Sequence, residues 1–166
     1  MANLISWINI AVVFGSIVLF GAVGETLTEK AGNLNLGTPG IMCMGGAFGF
    51  VGAYLYETSV GNPNAFMCIL VALGTAFIVS ALGGLIYSFL TTTLHANQNV
   101  TGLTLTIFGV GLGKFFGTYV IPKGAVSTKA DFATKIFRAR IPFLSNKLGV
   151  VGDILFSYGF MMYLAL

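Results

Sequence analysis

Glu25, Glu29, Lys30, Asn33 and Asn35 crowd into one short connection, Gly24 to Gly40, together with four glycines and Pro39. Carboxylates and amides at this density can hold a polar solute by hydrogen bonds. Spaced four apart, Glu25 and Glu29 share a face of any helix that contains them, and Lys30 could neutralise one of the two. An ordinary solvated helix end would carry the same three residues. The continuation Asn33-Leu34-Asn35-Leu36-Gly37-Thr38-Pro39-Gly40 is different, because two amides followed by glycine and proline describe interrupted helix. Near a membrane, irregular backbone survives only where it is buried in protein or lines a wet cavity. Helix breaks of that kind free N–H and C=O groups to become ligands for a solute. Glu25, Glu29, Asn33, Asn35 and Gly37 are therefore candidates for lining a translocation pathway.

Polar residues return between Thr91 and Asn99, where His95, Asn97, Gln98 and Asn99 lie close together. Asn97 and Gln98 join the pathway candidates. Lys114 stands alone in an apolar run about 10 Å of helix rise before Ile121. It is either a pore-lining cation or a side chain whose stem snorkels toward the interface.

The inventory argues against catalysis. There is one histidine, no His-x-x-x-His and no close Cys–His pair, so neither a catalytic constellation nor a metal site is expected, and no cofactor is implied. His95 reads as a loop residue at a membrane interface. Cys43 and Cys68 fall inside apolar runs without a C-x-x-C and read as small packed hydrophobes. Gly109-Val110-Gly111-Leu112-Gly113-Lys114 superficially suggests a phosphate loop. The Walker spacing, however, would need glycine at Phe108 and a hydroxyl at Phe115, and a nucleotide site is rejected.

The elements that must position these groups are membrane spans. Only 8% of the 166 residues are charged and 56% are hydrophobic, with a mean hydropathy of +0.92. Soluble chains carry about 25% charged residues. The expected fold is all-α, a polytopic transmembrane helical bundle of about five spans near 4–24, 40–57, 65–90, 100–121 and 148–166. One transmembrane domain would cover 1–166, with a broken helix or re-entrant segment near 25–40. The first run, Leu4 to Val23, has no basic region before it and is too long for a signal-peptide core.

Small residues recur every four positions along three of these runs: Gly45 and Gly49 with Ala53, then Ala72, Ala76, Ser80 and Gly84, then Gly109, Gly113 and Gly117. Such rows let helix backbones approach closely. Thr128-Lys129-Ala130-Asp131 resembles a capping box ahead of a short amphipathic helix carrying Phe132, Ile136 and Phe137. Six of the eight basic residues lie between Lys123 and Lys147, so a pI near 9.0 reflects one loop rather than a nucleic-acid-binding surface.

Gly24-Glu25-Thr26-Leu27-Thr28-Glu29-Lys30-Ala31-Gly32-Asn33-Leu34-Asn35-Leu36-Gly37 resembles the G-E-x-x-T-E-[KR]-[SA]-G-x-[LI]-N-[LI]-G motif of the permease subunits of bacterial ABC importers. Those are the branched-chain amino acid, simple sugar and nucleoside type, and the nucleoside members are the most similar. Leu94-His95-Ala96-Asn97-Gln98-Asn99-Val100-Thr101-Gly102 resembles the second motif, L-[RK]-A-[ND]-[QE]-x-[VI]-x-G, in the same order along the chain. His95 departs from the usual basic residue. Thr38-Pro39 departs from the usual pattern too, and with it goes a carboxylate.

The resemblance implies a transport subunit that itself hydrolyses nothing. It would pair with a second permease subunit, sit on two cytoplasmic ATPase subunits, and receive a nucleoside or simple sugar from an extracytoplasmic solute-binding protein. Its setting would be the lipid of the bacterial plasma membrane. Family members are longer chains, which implies an N-terminal portion here. Orientation is drawn two ways: the positive-inside rule puts Lys123 to Lys147 in the cytoplasm, whereas the resemblance puts that loop outside and Lys30 inside, which is the orientation expected. A different class of function, a small oligomeric channel or helix-packing protein without ATPase coupling, would use the same glycine faces.

Overall fold

The structure, a computed structural model, describes residues 2–120, 131–137 and 158. Helix α1 runs Ala2–Lys30, α2 Thr38–Ser59, α3 Ala65–Ser88, α4 Gln98–Tyr119 and α5 Asp131–Phe137, and a π-helical turn, Phe89–Thr93, extends α3. The chain divides into two compact units, Gly24–Ala133 and a second formed by Met1–Val23 with Thr134–Leu166. The first unit carries both polar segments.

Four helical stretches are long and apolar enough to cross a bilayer: Ser6–Lys30, Thr38–Ser59, Ala65–Thr93 and Gln98–Tyr119. Helix is the form these runs must take, because lipid offers no partner to an unpaired backbone group. Their outward residues are as apolar as their inward ones. Trp7, Phe77 and Ile107 are each three-quarters exposed, which suits a surface bathed in hydrocarbon. The expected fifth span, 148–166, and the Thr128–Lys129 half of the capping box lie outside the described residues, as does the loop from Lys123 to Ala130.

Within the unit Gly24–Ala133, α2 is the centre, with α3 and α4 each packed on it. Small residues bring the backbones together. A methyl group on Gly49 would lie 3.1 Å from the Ala76 Cβ and 3.2 Å from the Ala72 carbonyl oxygen, and one on Gly45 would collide with the Ser80 hydroxyl. On the other side of α2, a methyl on Gly113 would lie 3.1 Å from the Cys43 Sγ, and one on Gly109 would run into the Gly40 carbonyl. Met44, Tyr87 and Leu105 fill the space between, with Ile41, Val79 and Leu112 against them.

Gly84 and Gly117 have no atom of the described residues within 4 Å of where a side chain would begin. A four-residue step turns a helix by about 400°, so a row of such steps drifts about 40° each time and leaves the contact after two or three. Gly83 replaces Gly84: eleven residues beyond Ala72 it returns to the same face, where a methyl group would meet the Met44 Cε at 2.7 Å.

Each helix has a local reason to start or stop. Asn64 and Asn97 cap α3 and α4, their side-chain oxygens accepting from Phe66 N–H at 3.0 Å and from Asn99 N–H at 3.0 Å. Pro39 sits in the first turn of α2, where its missing N–H costs nothing. At its C-terminus α1 closes with Gly32 N–H on the Glu29 carbonyl (2.9 Å) and Asn33 N–H on the Thr28 carbonyl (3.0 Å). That paired closure needs a left-handed residue, and Gly32 supplies φ +86°. The helix therefore reaches Lys30, farther than the uncharged run that suggested it, and the irregular backbone is confined to residues 31–37.

Candidate functional site

The chain between α1 and α2 is held almost wholly by side chains from elsewhere. Glu25 lies on α1, about a turn and a half before its end at Lys30, and turns its carboxylate back onto the connection. Its Oε1 accepts from Asn35 N–H at 2.8 Å and its Oε2 from the Thr38 hydroxyl at 2.7 Å. The Asn35 side chain, in turn, accepts from Gly37 N–H at 2.9 Å, an Asx turn that aims the chain into α2. Asn35 is only 7% exposed, so these bonds form where water competes poorly.

The second polar segment reaches the first from α3 and α4. Gln98, the first residue of α4, accepts from Leu34 N–H at 3.1 Å and donates its amide to Asn33 Oδ1 at 2.8 Å. The Tyr87 hydroxyl donates to the Leu34 carbonyl at 2.8 Å, and the Thr106 hydroxyl donates to the Leu36 carbonyl at 2.6 Å. Close approach makes this possible. A methyl group on Gly102 would lie 2.8 Å from the Leu36 nitrogen, and one on Gly40 would lie 2.5 Å from the Leu105 carbonyl oxygen.

Thus Glu25, Asn33, Asn35, Gly37 and Gln98 are brought together, and the other candidates are not. Asn97 spends its side-chain oxygen on capping α4, which is a structural role. Glu29, four residues from Glu25, is exposed. Lys114 is exposed on α4, about 24 Å of helix rise from Gln98, and belongs to the far end of that helix. Tyr87 and Thr106 were not among the residues the sequence singled out. Each is an unremarkable member of an apolar run, and its partner lies 53 or 70 residues away.

The chemistry of the site follows from this accounting. Leu34, Asn35, Leu36 and Gly37 would all leave backbone groups unpaired at a break, and the protein's own side chains satisfy most of them. The break is an internally bonded surface rather than a row of vacant ligands. Beside it, between the end of α3 and the start of α4, lies a cleft of about 410 Å³ lined by Tyr87, Leu90, Thr101, Thr104, Leu105 and neighbouring apolar side chains. The Tyr87 and Thr104 hydroxyls there are already engaged, on the carbonyls of Leu34 and Val100, so the cleft wall presents mainly carbon. Among the described residues no three His, Cys, Asp or Glu side chains converge to hold a metal ion.

At the opposite end of the bundle, Glu57 near the end of α2 accepts from Phe132 N–H at 3.0 Å. This contact brings the start of α5 to the end of α2, the end at which α4 also finishes.

Three curated relatives resemble the chain. A Haloferax volcanii protein provisionally named glucose ABC transporter permease protein TsgC13 is 34% identical over 111 residues, 67% of this chain and 31% of its own length. The nucleoside ABC transporter permease protein NupC of Lactococcus lactis is 24% identical over 145 residues, 87% of this chain and 43% of its own. The guanosine ABC transporter permease protein NupQ of Bacillus subtilis is 22% identical over 145 residues, with the same coverage of 87% and 43%. The chain thus matches less than half the length of each. No solved structure matches it. The family model described as branched-chain amino acid transport system / permease component matches residues 6–165. With its apolar helices and this match along nearly its whole length, the chain is a multi-pass membrane protein that belongs to that permease-component family.

Proposed function

We propose that the chain forms part of the translocation path of an ATP-driven importer for a nucleoside or simple sugar, with the break at residues 31–37 beside that path. The observation that carries this reading is the meeting of the two motif segments: Gln98 of the second binds both Asn33 and Leu34 of the first. Polar side chains this far apart in the chain have a reason to converge within a span-rich fold when non-helical backbone at the ends of two spans must be supported. In the proposed assembly a second permease subunit completes the path, and two cytoplasmic ATPase subunits supply the energy. A solute-binding protein delivers the cargo at the outer face of the plasma membrane, and this chain hydrolyses nothing.

Uptake of labelled guanosine and of labelled glucose into cells carrying the complete transporter tests the proposal. ATP-dependent accumulation of one of them, abolished when this chain is absent, is the expected result. Flux that persists after ATP depletion, in a protein purified without an ATPase partner, would favour the oligomeric channel instead.

A further inference from the structure

Both backbone groups of Leu34 are held, and the two residues that hold them flank the one irregular turn of the neighbouring hairpin. Tyr87, on the last turn of α3, donates to the Leu34 carbonyl at 2.8 Å, and Gln98, at the start of α4, accepts from the Leu34 N–H at 3.1 Å. Between them lies the π turn Phe89–Thr93, in which Leu94 N–H bonds the Phe89 carbonyl at 3.2 Å and Ala96 N–H bonds the Leu90 carbonyl at 3.0 Å. His95 follows with φ +51°, a left-handed conformation uncommon outside glycine. Asn97 then fixes the first turn of α4 by capping it, and only residues 94–97 connect the π turn to that cap.

We infer that the π turn is a conformational switch for the break, and that Tyr87 and Gln98 are the positioning residues through which its winding acts on Leu34. A π turn holds one residue more than an α turn and recurs at functional places in helices for that reason. Rewinding the same residues Phe89–Thr93 as α-helix would carry the following chain onward by about 1.5 Å and rotate it by about 100°, because the extra residue then adds its own helical step. Gln98 would then leave hydrogen-bonding reach of the Leu34 N–H while Tyr87 stayed in place. The Leu34 peptide, held on both sides in the π state, would be held on one side in the α state, and the break would be freed to move. The α3–α4 cleft beside Tyr87 gives the rewound turn room, since helices α3 and α4 both pack on α2 rather than closely on each other.

Hydrogen exchange of the whole purified chain in detergent, read on peptides covering residues 31–37 and 88–97, tests the inference without reference to any solute. His95→Val, which disfavours the left-handed conformation that ends the π turn, is expected to raise exchange at residues 33–36 about tenfold, to the level reached by Gln98→Leu, with no further rise when the two changes are combined, whereas His95→Gly leaves it unchanged. Deleting Thr92, an exposed residue of the π turn, removes the extra residue, so that the turn winds as α-helix with Gln98 kept in register, and exchange at 33–36 is expected to stay low. Faster exchange confined to 88–97 in the His95→Val variant, with 33–36 still protected, or exposure of 33–36 in the folded deletion variant, would overturn the coupling.

Discussion

Glu25 and Thr38 stand on the helices either side of the break and meet through a 2.7 Å hydrogen bond, so one carboxylate ties the end of α1 to the beginning of α2. The same carboxylate accepts from Asn35 N–H at 2.8 Å. Bonds to an ionised acceptor are the stronger kind, and they also complement the positive end of α2.

Glu25→Ala would strand the Asn35 N–H in a largely buried place, at a cost of roughly 1–3 kcal/mol. Thermal denaturation in detergent should register this as a clear fall in Tm. Glu25→Gln keeps an oxygen for Asn35 and should lose less. Equal losses in the two variants would mean that the carboxylate oxygens do not carry the contact.

Gly40→Ala and Gly46→Ala lie six residues apart on α2 and should behave oppositely. A methyl group at Gly40 would lie 2.5 Å from the Leu105 carbonyl oxygen and from the Thr106 Cα, and backbone cannot step aside as a side chain can. Overpacking of this kind costs about 1–3 kcal/mol or more. At Gly46 no atom of the described residues lies within 4 Å, and the better helix propensity of alanine should stabilise by up to about 1 kcal/mol. Folded yield on size exclusion compares the two.

Asn97→Ala should cost about 0.5–2 kcal/mol through loss of the cap on α4, and Asn97→Asp or Asn97→Ser should restore most of it. Because the Asn97 oxygen is spent on Asn99 and Val100 N–H, the solute preference of the complete transporter should not change. A change in the ratio of guanosine to glucose uptake in Asn97→Ser, at unchanged abundance, would assign it a role in the path.

Orientation can be read from thiol labelling of intact cells, in a background with Cys43 and Cys68 replaced by alanine. The end of α2 and the start of α5 share one face of the membrane, since Glu57 accepts from Phe132 N–H, and the α3–α4 connection lies at the other. With the break on the cytoplasmic side, Thr58→Cys should react with an impermeant reagent from outside and Thr93→Cys only after permeabilisation. The reverse pattern would turn the molecule over, and the loop from Lys123 to Lys147 would then follow the positive-inside rule.

Much of this architecture could be read in the residues. Long uncharged runs locate the four described spans, because length and apolarity are what a bilayer selects. Gly45 and Gly49 share the α2–α3 seam with Ala72, Ala76 and Ser80, since close approach demands small residues there. At Gly84 and Gly117 the rows turn away from the described seams, because a fixed four-residue step does not keep to one face. At the break the sequence displayed the polar residues but not their partners. Glu25 might as well have faced water, and nothing local distinguishes Tyr87 or Thr106 from the apolar residues around it. Such contacts depend on where α3 and α4 come to lie, which periodicity alone does not specify.

The central claim is that residues 31–37 border the solute path, and Leu36→Cys probes it with least disturbance, since its backbone bond to Thr106 survives the change. In the assembled transporter, lacking Cys43 and Cys68, the labelling rate of Leu36→Cys should fall several-fold in saturating transported solute, while that of Thr58→Cys at the opposite end stays constant. Equal rates at Leu36→Cys with and without solute, in a transporter that still accumulates its cargo, would contradict the account.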